Sequence, residues 1–483
     1  MNHHQPSGDP STTEPTSSNL WHVGTLTYTR AGLAVLFSLL LWGDFAWSMK
    51  ERSAAPVLQI IVKDFHASDT EMQWFMVVIP NAMGILLGPV IGYRSDRHRG
   101  RWGRRIPYLM VSTPFAALAL IGVGFSPSMG HALHIALGRH SPGLDISIRI
   151  FLGIFWVIFE VATVTANAVF GGLINDVVPR GLLGRFYGLF RAFSLIAGMA
   201  INFKLLGLAE VHYKAIFLGI GLLYGLGFML MCLTVREGEY PPPAPEELSG
   251  GVSNGFLTAA VAYLKESFSH PYYLWVMLAL TFGTLTFMPV NNFSQPFAKS
   301  LHVSNDVYGK YLFTTYAISL LLAVFVGYLA DWFHPLRTGI VVMVIYAAAM
   351  LWGDFCSSDA KVLFYIPHTS GGVSQPIPVQ MFAIALIAHG VISGTFFTCT
   401  ASLAQRLFPK ARFAQFASAA AVMIAVTSMI FAAWTGLYFD THGPVYQRTY
   451  GMGFGLAVAG VITMLIVHRQ FMALGGTRAY VAP

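Results

Sequence analysis

Asp44, Ser48 and Glu51 follow one another at steps of four and three residues, the spacing that puts side chains on one helix face. Lys50 and Arg52 flank that strip, so carboxylates, a hydroxyl and cations fall within one short stretch. Such a surface suits a polyhydroxylated small molecule. Hydroxyls need fixed donors and acceptors, apolar C–H faces need aromatic platforms, and Glu51 and Arg52 can each make bidentate, charge-assisted bonds to vicinal hydroxyls. Trp42, Trp47 and Phe287 offer rings, although ordinary helix packing is their simpler role. Asn291, Asn292 and Gln295 offer amides from further along the chain. Glu160 is a different kind of residue. It lies midway along the apolar run 148–174, with Thr163 and Asn167 on its own face at i+3 and i+7. An ionised carboxylate at that depth in a bilayer costs about 3 kcal/mol on insertion scales. Its neutral form is therefore favoured, which is what a proton carrier requires. Asp44 is the alternative proton site, Arg191 a candidate counter-ion, and His389 a weaker proton candidate whose simpler role is a hydrogen-bonded core histidine.

The elements that must position these residues are membrane spans. The 483 residues are 55% hydrophobic and only 11% charged, with a mean hydropathy of +0.59, against about 25% charged for soluble domains. A chain of this length holds about a dozen spans of about 20 residues. The net charge of +7 is spread over interhelical loops, which points to topology and anionic lipid and excludes nucleic acid as a partner. Cys232, Cys356 and Cys399 have no metal-ligand spacing and read as buried thiols. P-loop, zinc-protease and nucleophile-elbow signatures are lacking, so neither an enzyme nor ATP coupling is expected, and no cofactor.

Apolar runs fall at about 31–62, 72–94, 106–126, 148–174, 186–208 and 214–235, and again at about 272–298, 308–330, 338–355, 380–405, 413–438 and 450–468. The predicted organisation is a disordered tail (1–29), a six-helix bundle (30–235), a linker containing Pro241-Pro242-Pro243 (236–270), a second six-helix bundle (271–470) and a C-terminal tail (471–483). Loops are expected at Ser126–Ile146 and Cys356–Val379, each after the third span of its half. Shifts of about 230–240 residues superpose landmarks of the two halves in order. Gly327-Tyr328-Leu329-Ala330-Asp331 falls on Gly92-Tyr93-Arg94-Ser95-Asp96, Pro409 on Pro179, Gly283 on Gly43 and Pro296 on Pro56. The same shift lays Val290-Asn291-Asn292 on Lys50-Glu51-Arg52, so both helices are expected to run on past these positions, kinked at their prolines.

Between the second and third runs stands Gly92-Tyr93-Arg94-Ser95-Asp96-Arg97-His98-Arg99-Gly100-Arg101-Trp102-Gly103-Arg104-Arg105-Ile106-Pro107. An N-terminus inside places about 18 Lys and Arg in the cytoplasm against about 11 outside, so both termini are expected to be cytoplasmic. The layout Gly-Tyr-x-Ser-Asp-Arg followed by Gly-Arg-Arg resembles the loop between the second and third helices of major facilitator transporters. Its extension through Arg-Trp-Gly-Arg-Arg-Ile-Pro-Tyr resembles the glycoside–pentoside–hexuronide symporters and their sucrose-transporter relatives. The resemblance implies an all-α integral membrane protein of twelve helices in two six-helix pseudo-repeats, with a substrate site at mid-depth between them. It also implies a cytoplasmic gate of Gly92, Asp96, Arg97, Arg101, Gly103, Arg104, Arg105 and Asp331. Asp176, Arg180 and Arg185 are implied partners, paired only while the cytoplasmic side is closed. Two features depart from plant sucrose carriers: no arginine among Phe170-Gly171-Gly172 before Asp176, and charge at Lys50-Glu51-Arg52.

The resulting expectation is a monomeric secondary transporter of the cell (inner) membrane, carrying a sugar or glycoside, preferably a disaccharide, with protons rather than sodium. Asp44, Trp47, Lys50, Glu51, Arg52, Asn167, Asn291, Asn292 and Gln295 would bind cargo, and Glu160, Asp44 and Arg191 would couple the proton. A proton-driven exporter of amphiphiles is the alternative. A membrane glycosyltransferase, which would need acidic or metal-binding loop clusters, is the weaker one.

Overall fold

The computed structural model describes residues 20–240, 267–358, 369–370, 373–374, 377–409 and 412–483. The side chains of Arg180, Arg185, Arg191 and Asp331 lie outside the described part, as does most of the linker. Strands β1 (Leu20–Val23) and β2 (Leu26–Thr29) form an antiparallel hairpin turning at Gly24, whose φ of 56° suits glycine. Residues 20–29 therefore correct the expectation of a disordered stretch up to 29. Thr29 closes the hairpin and starts the first span, its hydroxyl accepting from the Gly32 N–H at 3.1 Å.

The N-terminal half comprises α1 (Arg30–Asp64), α2 (Asp69–Arg97), α3 (Ile106–Leu137), α4 (Leu144–Val177), α5 (Leu183–Ala200) and α6 (Leu206–Thr234). The π turn Ile201–Leu205 joins α5 to α6, and α6 kinks at His212. The helical stretch Phe186–Thr234 would be about 73 Å long if straight, more than twice a hydrocarbon core, so it supplies two crossings. The C-terminal half comprises α7 (Pro271–Ser300), α8 (Asn305–Phe333), α9 (Pro335–Ser358), α10 (Ile377–Thr400, continued by the turn Leu403–Leu407), α11 (Phe413–His442) and α12 (Arg448–Ala473). Among the described residues this makes twelve crossings in two sets of six.

Three details differ from the sequence expectation. The segment after residue 126 is not a loop, because α3 continues through Pro127 to Leu137. Gly130 lets it pass against α4, where a Cβ would sit 2.5 Å from the Ile148 Cα. The seventh span breaks between Leu285 and Met288, upstream of Pro296. Pro289 has no N–H to offer the turn before it, so the second piece begins there. The C-terminal tail is docked: the Tyr480 hydroxyl donates to the Leu407 carbonyl at 2.6 Å, and Tyr273 donates to the Pro483 carbonyl.

At the end of the bundle remote from the arginine-rich turn, hydrogen bonds and ion pairs join the two halves. Asp440 of α11 accepts from the Asp69 and Thr70 N–H groups at 2.7 and 2.9 Å, a carboxylate at the positive end of α2. Tyr446 donates to Asp69, Lys299 pairs with Asp64 at 2.6 Å, and the Asn305 amide donates to Glu210 at 2.7 Å. Both π turns sit on this interface. Trp74–Val78 in α2 faces α11, and Ile201–Leu205 faces α8, where Gly309 packs directly on the Asn202 carbonyl. Asp440→Ala should cost this closed end about 1–3 kcal/mol of charge-assisted hydrogen bonding. Maleimide labelling of a Thr70→Cys reporter should then run faster than with Asp440 intact; an unchanged rate would show that Asp440 does not hold the end shut.

Candidate functional site

The strip predicted on α1 is mid-helix and internal. Lys50 lies about 30 Å along α1, has no exposed surface, and is held from three sides. Its Nζ donates to Glu51 Oε1 at 2.8 Å and to the Thr163 hydroxyl of α4 at 3.2 Å, and lies 3.8 Å from the Trp47 ring centroid. Phe159 and Tyr224 stand further off, each at 5.2 Å. Burying an ammonium is tolerable only with such compensation. Trp47 is therefore a floor for this cation, buried among Phe170, Tyr224 and Phe228 rather than facing open space. Trp42 is exposed and passes Gly227 of α6, and Phe287 is buried against Tyr346.

The Glu51 side chain is 40% exposed. Glu160 is buried, one turn before Thr163, within electrostatic reach of Glu51 and Lys50. Asp44 is fully buried; one oxygen takes a long 3.4 Å bond from Ser48, and the other has no partner within the protein. Arg52 spans the halves, donating to the Tyr316 hydroxyl of α8 at 3.0 Å and to Ser194 of α5 at 3.3 Å.

The corresponding positions of α7 repeat the geometry with different chemistry. Asn291, opposite number of Glu51, is exposed; Asn292, opposite number of Arg52, crosses to the other half. Its amide donates to Gln73 at 2.8 Å and its carbonyl accepts from Gln59. Gln295 is buried on Asn305 at 3.1 Å, at the closed end rather than in the central space. Asn167 is exposed on α4. The structure thus brings Asp44, Lys50, Glu51, Arg52 and Glu160 together in the first half, while Asn291 stands exposed on α7 of the second.

At the arginine-rich end, Arg104 and Arg105 grip Asp176 at the end of α4. Arg104 donates to both carboxylate oxygens at 3.0 and 2.6 Å, and Arg105 to one at 2.8 Å. Arg105 also reaches Asp96 at 2.9 Å. Burial alone would lower the Arg104 guanidinium, yet hydrogen bonding to Asp176 and the attraction of that carboxylate hold it above its ordinary value. Arg97 stacks on Tyr93, and Arg101 is exposed. Glu237, just past α6, accepts from the Arg104, Arg105 and Ile106 N–H groups at 3.0, 2.8 and 2.6 Å, capping α3. Gly103 is required beside it, for φ is 96° and a Cβ would lie 2.6 Å from the Glu237 carboxyl carbon. These pairs lie within one half and coexist with closure at the opposite end.

Sequence reasoning passed over Glu237, Asp440, Tyr316 and Tyr346, none of which has a local motif. A cavity of about 280 Å³ lies within the second half, lined by Ala279, Gly283, Phe396, Phe397 and Ala417. It is apolar and separate from the charged strip.

Two six-helix bundles joined at one end, with a polar strip at mid-depth, define a multi-pass membrane protein with the architecture of a transporter. The family model described as Major Facilitator Superfamily matches residues 36–432, and the chain belongs to that superfamily. The sucrose transport protein SUT1 of Oryza sativa subsp. japonica is similar at 29% identity over 103 residues, 21% of this chain and 18% of that protein. The proton-associated sugar transporter A of Homo sapiens is similar at 32% over 147 residues, 30% of this chain and 19% of that one. The matches thus span about a fifth of these relatives' lengths. The structure titled as the inward open conformation of the xylose transporter XylE from E. coli superposes with a TM-score of 0.59 at 14% identity, covering 89% of this chain and 95% of that one. That likeness is one of fold.

Because Lys50 and Glu51 share a hydrogen bond, Lys50→Met and Glu51→Gln should not be additive. Thermal unfolding in detergent should give a coupling of about 1 kcal/mol, the double variant being more stable than the sum of the single losses. Strict additivity would mean that the pair contributes nothing.

Proposed function

We propose that this protein carries a sugar or glycoside, a disaccharide in preference, by alternating access in symport with protons. The observation that carries the reading is the charged strip of Glu51, Lys50 and Glu160 at mid-depth in one half, with an exposed amide, Asn291, at the matching position of the other. Carboxylate, guanidinium and amide groups around a space between two movable halves match the hydrogen-bonding needs of a polyol. The partial similarity to a sucrose transport protein and a proton-associated sugar transporter supports the same cargo class. Glu160 is the assigned proton carrier, with Asp44 as the second candidate. The protein works as a monomer in the cell (inner) membrane with the arginine-rich turn in the cytoplasm, following the distribution of basic residues. In that orientation Asp96, Arg97, Arg101, Arg104 and Arg105, with Gly92 and Gly103, form the cytoplasmic gate as a preassembled block. This block closes against the end of α8 near Asp331.

The apolar cavity beside Phe396 and Phe397 favours a second reading, export of an amphiphile by proton antiport.

Purified protein in proteoliposomes, offered labelled mono- and disaccharides under imposed proton or sodium gradients, tests both. Proton-driven accumulation of at least one sugar is expected, and Glu160→Gln should abolish accumulation while leaving gradient-free exchange. Accumulation that survives Glu160→Gln removes Glu160 as carrier; absence of any sugar flux, with uptake of an amphiphilic dye, favours the second reading.

A further inference from the structure

Against Asn291, itself exposed, stands a chain of two buried polar groups that the transport reading leaves without a task. The His389 ring of α10 is almost completely buried. Its Nε2 lies 2.9 Å from the Asn291 Oδ1, and its Nδ1 lies 2.8 Å from the Tyr346 hydroxyl of α9. Tyr346 has no exposed surface. Phe287, at the break in α7, packs on Tyr346 with ring centroids 4.7 Å apart and on His389 at 6.2 Å, so the start of the piece bearing Asn291 rests on the same pair.

With the Asn291 oxygen turned to the ring, as it stands in the structure, the donor and acceptor roles follow. The amide oxygen of Asn291 only accepts, so His389 Nε2 carries the proton. A neutral imidazole then has its lone pair on Nδ1, which accepts from the Tyr346 hydroxyl. With Oδ1 engaged behind, the Nδ2 group is what Asn291 presents on its exposed side. We propose that His389 is a positioning residue. Held by Tyr346, it fixes the Asn291 amide with its nitrogen on the exposed side, a preset hydrogen-bond donor at the position of the second repeat that matches the acceptor Glu51 of the first. Use of that donor by a cargo hydroxyl rests on the sugar reading above; the relay itself does not. An unheld asparagine can turn over and offer either group. A fixed one selects for cargo with an acceptor at that position, and spares the ordering cost on binding.

The full-length protein, with 15N-labelled histidine in lipid nanodiscs, reports the tautomer by NMR, the His389 signal being identified by its loss in His389→Gln. The Nε2–H form is expected, and an Nδ1–H form in the unsubstituted protein overturns the proposal whatever the cargo. Tyr346→Phe removes the donor to Nδ1 while Asn291 still holds Nε2–H, so the Nδ1 signal should move to that of an unbonded lone pair with the tautomer kept; an unchanged Nδ1 signal overturns the role of Tyr346. Asn291→Asp retains an acceptor for Nε2–H but has no N–H to present. With sucrose and the other sugars of the transport screen as probes, KM should rise about tenfold, the weight of one hydrogen bond, while the tautomer and melting temperature hold. An unchanged KM in a variant with the tautomer retained overturns the donor role. If no sugar moves in the unsubstituted protein, the cargo reading fails, and the tautomer measurements still decide the relay.

Discussion

A lysine with no exposed surface, placed mid-way along the first helix, is the constraint around which the first half is arranged. An ammonium in a water-poor interior must be compensated on several sides, and Lys50 recruits Glu51, Thr163 and the face of Trp47. That requirement ties α1 to α4 and, through the aromatic cluster of Trp47, Tyr224 and Phe228, to α6. It also settles who is left to meet a cargo. Trp47 is occupied as the floor of the cation, whereas Glu51 has a free edge and Arg52 is drawn to the opposite half.

Two carboxylates at helix N-termini organise the two ends, with opposite consequences. Glu237 caps α3 from within its own half, so with Asp176, Arg104 and Arg105 it welds the arginine-rich turn into a rigid block. Asp440 caps α2 from the other half, so the same physical interaction is there a bond that relative motion must break. The π turns and Gly309 reinforce this asymmetry, allowing close packing between halves at one end.

Much of the architecture was legible in the sequence, because apolar runs of membrane length and the paired landmarks Gly92/Gly327 and Pro56/Pro296 are local signals. What misled were residues whose usual meaning is overridden by packing. Pro127 reads as the start of a loop, yet α3 runs on because Gly130 fits closely against Ile148. Leu20 to Thr29 is polar enough to pass for a tail, though the turn at Gly24 pairs its two ends. For the site, spacing correctly put Asp44, Ser48 and Glu51 on one helix, but depth and direction could not be read from it. Asn291 and Asn292 are adjacent, and only the fold leaves one exposed while the other bonds across the halves. Asp440 and Glu237 were invisible for a simpler reason: their partners are backbone N–H groups far away in the chain, which any sequence could supply.

The correspondence between Glu51-Arg52 and Asn291-Asn292 has an electrical consequence. Matching positions of the two repeats carry ions on one side and dipoles on the other. A membrane voltage does work on displaced charge and almost none on a displaced amide. When the halves tilt against each other, the field therefore acts mainly on the first bundle through Lys50, Glu51, Arg52 and whatever charge Glu160 bears. At these matching positions, then, the field has charge to pull on in the first bundle and only dipoles in the second.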